Sequence, residues 1–308
     1  MSGGLPKVSA DRRVRLLRLA TWWSVATAVV LILAKGAAWF HTGSVSLLAS
    51  LIDSLMDAAA SVINLVAVRW SLQPADEEHR FGHGKAESLA GLAQSAFICG
   101  SALLLLTEAV DRISHPRALE GVTLGIWVMV FSIVATVVLL WVQRYTIRHT
   151  GSVAIKADSL HYFTDLLTNL SVIAALFLAV SGWPLADAIF GLAIGAYILY
   201  GAISIARESV QHLMDRELPE EVQQEIAAIV LEQPEVRAIH DLRTRQAGQT
   251  RFIQLHIEMD GGMTLSRAHA IGDAVMLRLK RAMPDADIMI HQDPEDDSSP
   301  GAPGERMT

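Results

Sequence analysis

The sequence has one cysteine in 308 residues, Cys99, so no disulfide can close within the chain, and its place in an apolar run marks a buried or lipid-facing thiol. Charge is also scarce. Only 19% of residues are Asp, Glu, Lys or Arg, and no basic block interrupts a net charge of −7, which argues against nucleic acid as a partner. No glycine-rich nucleotide-binding loop occurs, and no intramembrane nucleophile stands beside a base, so the pattern does not point to an enzyme. No internal repeat is visible. The basic stretch MSGGLPKVSADRRVRLLRLA leads into an apolar segment too long for a signal-peptide core and lacks a small-residue cleavage pattern, so it is expected to be retained.

Apolar residues are abundant. They make up 52% of the chain, with a mean hydropathy of +0.36, too apolar for a soluble domain of ordinary surface. Runs long enough to cross a bilayer, roughly 20 residues each, fall at about 17–40, 46–70, 88–111, 122–145, 153–180 and 184–208. The connections near 41–45, 112–121 and 181–183 are short; only 69–87 is a substantial polar loop. Lysine and arginine cluster on one side of these spans, from Arg12, Arg13, Arg15 and Arg18 through Arg69, Lys85, Arg144 and Lys156 to Arg216, against Arg112 and Arg117 on the other. By the positive-inside rule both termini are cytoplasmic. The expected organisation is a cytoplasmic segment at 1–16, a six-span membrane domain at 17–210, a cytoplasmic domain at 211–295 and a disordered tail at 296–308, rich in Pro, Gly and Ser.

After Arg216 the periodicity changes. PEEVQQEIAAIVLEQ reads as an amphipathic helix, VRAIHDLRTR and TRFIQLHIEM as two strands, TLSRAHAIGDAVMLRLKRAM as a second helix and DADIMIHQD as a third strand. The fold class is therefore an all-α membrane domain followed by a small α+β domain in the order αββαβ.

Charge inside the apolar runs is the informative feature. Asp53 and Asp57, four residues apart in SVSLLASLIDSLMDAAASVINLVAV, share one face of the second span. Each would cost roughly 2.5–3.5 kcal/mol at the bilayer centre. No nearby intramembrane base explains both, which leaves a cation site as the better reading. KADSLHYFTDLLTNL repeats the spacing with His161 and Asp165 on the fifth span, at a depth that lets the four groups meet. Three carboxylates and an imidazole suit a tetrahedral divalent zinc site. Asp158 is read either as facing the cytoplasmic entrance or as stabilising a helix N-terminus. Lys35, Glu108, Asp111 and Asp187 are expected to reach the interface from span ends. Strand alternation sets His256 with Phe252, Gln254 and Glu258, opposite Ile253, Leu255 and Ile257; His291 and Asp293 share a face of the last strand, His240 opens the first strand's polar motif, and His269 lies on the second helix.

These residues, with the stretches SLIDSLMDAAAS, PADEEHRFGHGKAESLAGL, KADSLHYFTDLLTN, HDLRTRQ and IHQDPE, resemble the cation diffusion facilitator family, closely its bacterial zinc and ferrous-iron efflux members, from about Arg15 to Pro294. The resemblance implies six transmembrane helices, a metallochaperone-like cytoplasmic domain, a homodimer in the inner membrane, and proton-coupled export of zinc, with cadmium and ferrous iron as further candidates. It implies Asp53, Asp57, His161 and Asp165 as the transport site. Asp76, His79 and His83 read alone as solvated loop residues; the resemblance makes them a second metal site. It likewise implies a structural or regulatory binuclear zinc site at the dimer contact, drawn from His240, His256, His269, His291 and Asp293, and a charge interlock between Lys85 and Asp215. A membrane-anchored metal sensor would share the cytoplasmic histidines without needing intramembrane ligands. A channel would line a pore with them and move no protons in return.

Overall fold

The computed structural model describes residues 9–43, 45–114, 123–180 and 186–295, and the chain divides into two compact units between Val210 and Gln211. The expected tail, the short connections around 115–122 and 181–185, and the side chain of Asp187 lie outside the described residues.

Long helices build the first unit: α1 (Ala10–Thr42), α2 (Val45–Ser71), α3 (Lys85–Ser114), α4 (Thr123–Thr150), α5 (Val153–Val180) and α6 (Ala186–Leu213). With 27 to 33 residues each is about 40–50 Å long, against a hydrocarbon core of about 30 Å. Five of them, α1 to α4 and α6, carry apolar stretches of 22 to 31 residues, enough to cross a membrane. The sixth, α5, has Lys156, Asp158, His161 and Asp165 in its first half. Several helices outrun the apolar segments. α1 starts at Ala10 rather than 17 and α4 runs to Thr150 rather than 145, because arginine-rich flanks are good helix formers that carry the helix on into water.

Polarity in this unit is inverted relative to a soluble protein. Leu33, Phe40, Leu104, Trp141 and Tyr200 are exposed, whereas Ser24, Ser54, Ser61, Asn64, Ser95, Thr136, Gln143 and Asp158 are buried. Apolar side chains outside and small or polar ones between helices are what lipid selects. Gly91 shows the close packing directly, since a Cβ there would lie 2.9 Å from both Ser209 Oγ and Val153 Cγ1. α5 packs against α1, α2, α3 and α4, which makes it the central element of the unit.

The second unit follows the expected order: α7 (Glu220–Leu231), β1 (Ala238–Ala247), β2 (Thr250–Met259), α8 (Leu265–Ala282) and β3 (Ala286–Pro294). β1 and β2 form an antiparallel hairpin turning at Gly248, whose φ of 58° glycine tolerates without a Cβ clash. β3 returns through α8 to pair in parallel with β2, giving the sheet order β1-β2-β3. The alternating Ile253, Leu255, Ile257 and Met259 pack against Ile226, Val230, Ile271, Val275 and Leu279. Each such fully buried side chain contributes about 1.5–3 kcal/mol, so this unit has a core of its own and both helices lie on one face of the sheet. Its other face carries the histidines.

Candidate metal centres

On α2 and α5 the helical spacing brings three groups together. Asp57, His161 and Asp165 each offer a ligand atom, all within 4.8 Å of one another, and His161 Nε2 lies 2.9 Å from Asp57 Oδ1. Asp57 is the thirteenth residue of α2 and Asp165 the thirteenth of α5, so both sit roughly 18 Å along their helices, near the middle of each. Two oxygens and an imidazole nitrogen form an incomplete tetrahedral set of the kind zinc takes. Asp53 does not join them. It is exposed and one turn, about 6 Å, nearer the start of α2, while the α5 ligands stand opposite Asp57.

Two expectations about neighbouring charges need correction. Lys35 does not reach out from a span end; α1 continues to Thr42, so Lys35 lies about two turns inside, and its Nζ donates to Ser54 Oγ at 2.7 Å and Ser50 O at 3.2 Å on α2. There it interacts electrostatically with Asp57, Asp165 and Asp53. Asp158 neither faces an entrance nor serves a helix terminus. It is fully buried and accepts hydrogen bonds from Ser24 of α1 at 2.6 Å, Gln143 of α4 at 2.8 Å and Gln94 of α3 at 3.3 Å. Next to it, the Tyr162 hydroxyl lies 2.9 Å from Ser61 Oγ and 3.3 Å from Ser24 O. One carboxylate thus ties four helices together one turn before His161.

The loop between α2 and α3 gathers Asp76, His79 and His83, with ligand atoms again within 4.8 Å. It is a turn rather than a helix. Asp76 Oδ1 accepts from the His79 amide at 2.6 Å and the Glu78 amide at 3.0 Å, and Gly82 takes a φ of 78°. That His79 amide bond holds the Asp76 carboxyl below the ordinary carboxylate value, against the opposing effect of desolvation. His83 is buried beside Trp70 with Nε2 3.3 Å from Asp76 Oδ2, whereas His79 remains exposed at 3.6 Å.

In the second unit the register aligns His240 with His256 and His256 with His291, one histidine from each strand in a single row. Adjacent rings are 5.0 Å and 4.5 Å apart. Asp293 stands beside the row and meets His256 Nδ1 at 2.8 Å, His291 Nε2 at 2.9 Å and His240 Nε2 at 3.2 Å, using both carboxylate oxygens. A carboxylate so surrounded can bridge two ions. Glu258, 3.1 Å from His240 Nδ1 and buried, is a further candidate ligand; its place two residues after His256 on the same strand face was the signal for it. His269 is not brought into the cluster. α8 packs on the apolar face of the sheet, and His269 pairs with Asp273 at 3.5 Å. Asp215 accepts from Arg245 at 3.2 Å within this unit, while Lys85 opens α3 in the other.

The two units correspond to two known domains. Residues 21–214 match the cation efflux transmembrane domain, and residues 218–295 match the cytoplasmic domain of cation efflux proteins. The cation-efflux pump FieF of Pectobacterium atrosepticum is 51% identical over 280 residues, covering 91% of this chain and 93% of that protein. The pump of the same name from Yersinia enterocolitica is 52% identical over the same shares. Among solved structures, the metal-bound C-terminal domain of the CzcD transporter from Thermotoga maritima is 26% identical, covers 26% of this chain and 99% of its own, and superposes with a TM-score of 0.25. On matches that span nearly all of its length, the chain belongs to the cation efflux, or cation diffusion facilitator, family of multi-pass membrane transporters.

Proposed function

We propose that this chain exports a divalent metal ion from the cytoplasm in exchange for protons, zinc first and cadmium or ferrous iron next, by alternating access in a homodimer of the inner membrane with both termini cytoplasmic. The observation that carries the reading is the meeting of Asp57 with His161 and Asp165 deep within α2 and α5. Intramembrane acids are costly enough to need a function, and three metal-ligating groups within 4.8 Å offer one. Asp53, a turn away, completes the four-ligand set when the ion is bound.

Exchange follows from competition for lone pairs. The 2.9 Å contact between His161 Nε2 and Asp57 Oδ1 needs a proton between them, and a metal ion needs those same two atoms. Metal entry from the cytoplasm displaces the proton; on the outward side the proton returns and the metal leaves. The imidazole nitrogen favours zinc and cadmium over manganese, which prefers an all-oxygen set. Asp76, His79 and His83 form a second metal site on the loop. His240, His256, His291 and Asp293 hold a binuclear zinc site that stabilises the cytoplasmic dimer.

Proteoliposomes with a pH-sensitive dye test this. Zinc and cadmium should move against protons, and manganese should move poorly. Metal flux without proton movement would make the protein a channel, and absence of flux for every metal would leave it a sensor.

A further inference from the structure

The intramembrane charges do not balance among the ligands alone. Asp53, Asp57 and Asp165 carry three negative charges, and a divalent cation cancels two of them. One would remain within the bilayer, where net charge is strongly disfavoured. Lys35 supplies the missing unit. Its ammonium is held on α2 by Ser54 Oγ, on a side chain only 2% exposed, and by Ser50 O, both neutral acceptors. Ser50, Ser54 and Asp57 fall at positions i, i+4 and i+7, one stripe of the helix, so the anchor aligns the ammonium with the metal ligands. From there its field reaches Asp57, Asp165 and Asp53.

Resting on the transport site proposed above, we infer that Lys35 is a fixed counter-charge: a positioning residue that makes the loaded site neutral and, by repelling the bound cation, sets how readily it leaves. It touches no metal ligand through these bonds, so its effect is electrostatic. The sign of that effect separates it from a merely structural role. Losing a structural brace weakens metal binding, whereas losing a repelling charge tightens it.

The test is cadmium binding by calorimetry to the full-length protein in detergent at neutral pH, in a background carrying His79→Ala, His83→Ala, His256→Ala and His291→Ala to silence the other clusters. Lys35→Gln keeps donors for Ser50 and Ser54 but removes the charge, and should lower Kd roughly tenfold or more while slowing flux at saturating metal. Lys35→Arg keeps the charge and should bind as the parent does. If Lys35→Gln does not fold, Lys35→Met carries the same expectation. Unchanged or weaker binding in the folded neutral variant would overturn the role given to Lys35. Asp57→Ala in the same background separates the two claims: if it still binds cadmium, the transport site itself is wrongly assigned; if it does not, a failure of Lys35→Gln to tighten binding counts against Lys35 alone.

Discussion

Removing two histidines from the β-sheet should abolish the response of the cytoplasmic unit to zinc. The unit has its own core around Ile253, Leu255 and Ile257, so a fragment from Pro219 to Glu295 can be melted by itself. Asp293 is surrounded by His240, His256 and His291 at 2.8–3.2 Å, an arrangement already gathered for binding. An ion that binds only the folded form at a free concentration of 100 times its Kd adds about 2.7 kcal/mol. For a domain of this size each kcal/mol raises Tm by about 4–8 °C, so one zinc site should raise Tm by roughly 11–22 °C, and a second ion bridged by Asp293 should raise it further. Scanning calorimetry with zinc and with chelator measures the shift, and the His256→Ala, His291→Ala double variant should lose it. An intact fragment that melts identically in both conditions would refute the site. An equal response in the double variant would place the ligands elsewhere.

His161→Asp replaces the one nitrogen ligand with a fourth carboxylate and should shift relative flux from zinc towards manganese; an unchanged ratio would show that His161 does not set selectivity. Asp158→Leu strands Ser24, Gln94 and Gln143 without their acceptor, each at a cost of about 1–3 kcal/mol, and should lower the detergent-solubilised melting temperature well below that of Asp158→Asn, which keeps an acceptor oxygen.

The sequence made some of this architecture legible and hid the rest for physical reasons. Asp57, His161 and Asp165 stood out because a charge in an apolar run is expensive and the four-residue spacing fixes a shared helix face. Ser24, Gln94 and Gln143 did not stand out. Neutral polar residues cost little in a span, and only the packing of α1, α3 and α4 around α5 reveals that they converge on Asp158. Lys35 was misread because hydropathy gives its distance from a span end but not the neighbouring helix, and it is Ser50 O and Ser54 Oγ of α2 that hold its ammonium. In the second unit, alternation identified which residues face the core, but the row of His240, His256 and His291 depends on register. The shift between His240 and Arg243, with Asp241 at a φ of 50°, is invisible to a period of two.

The central claim is that a cation crosses the membrane through Asp57, His161 and Asp165. Zinc flux in proteoliposomes, paired with calorimetric counting of bound metal, tests it most directly in the Asp57→Ala variant, since the two remaining ligands of the cluster, even with Asp53, cannot replace the hydration shell. The account predicts that flux is abolished and one bound ion is lost, while the fold and the loop and cytoplasmic sites persist. Near-normal flux in the folded variant would contradict it.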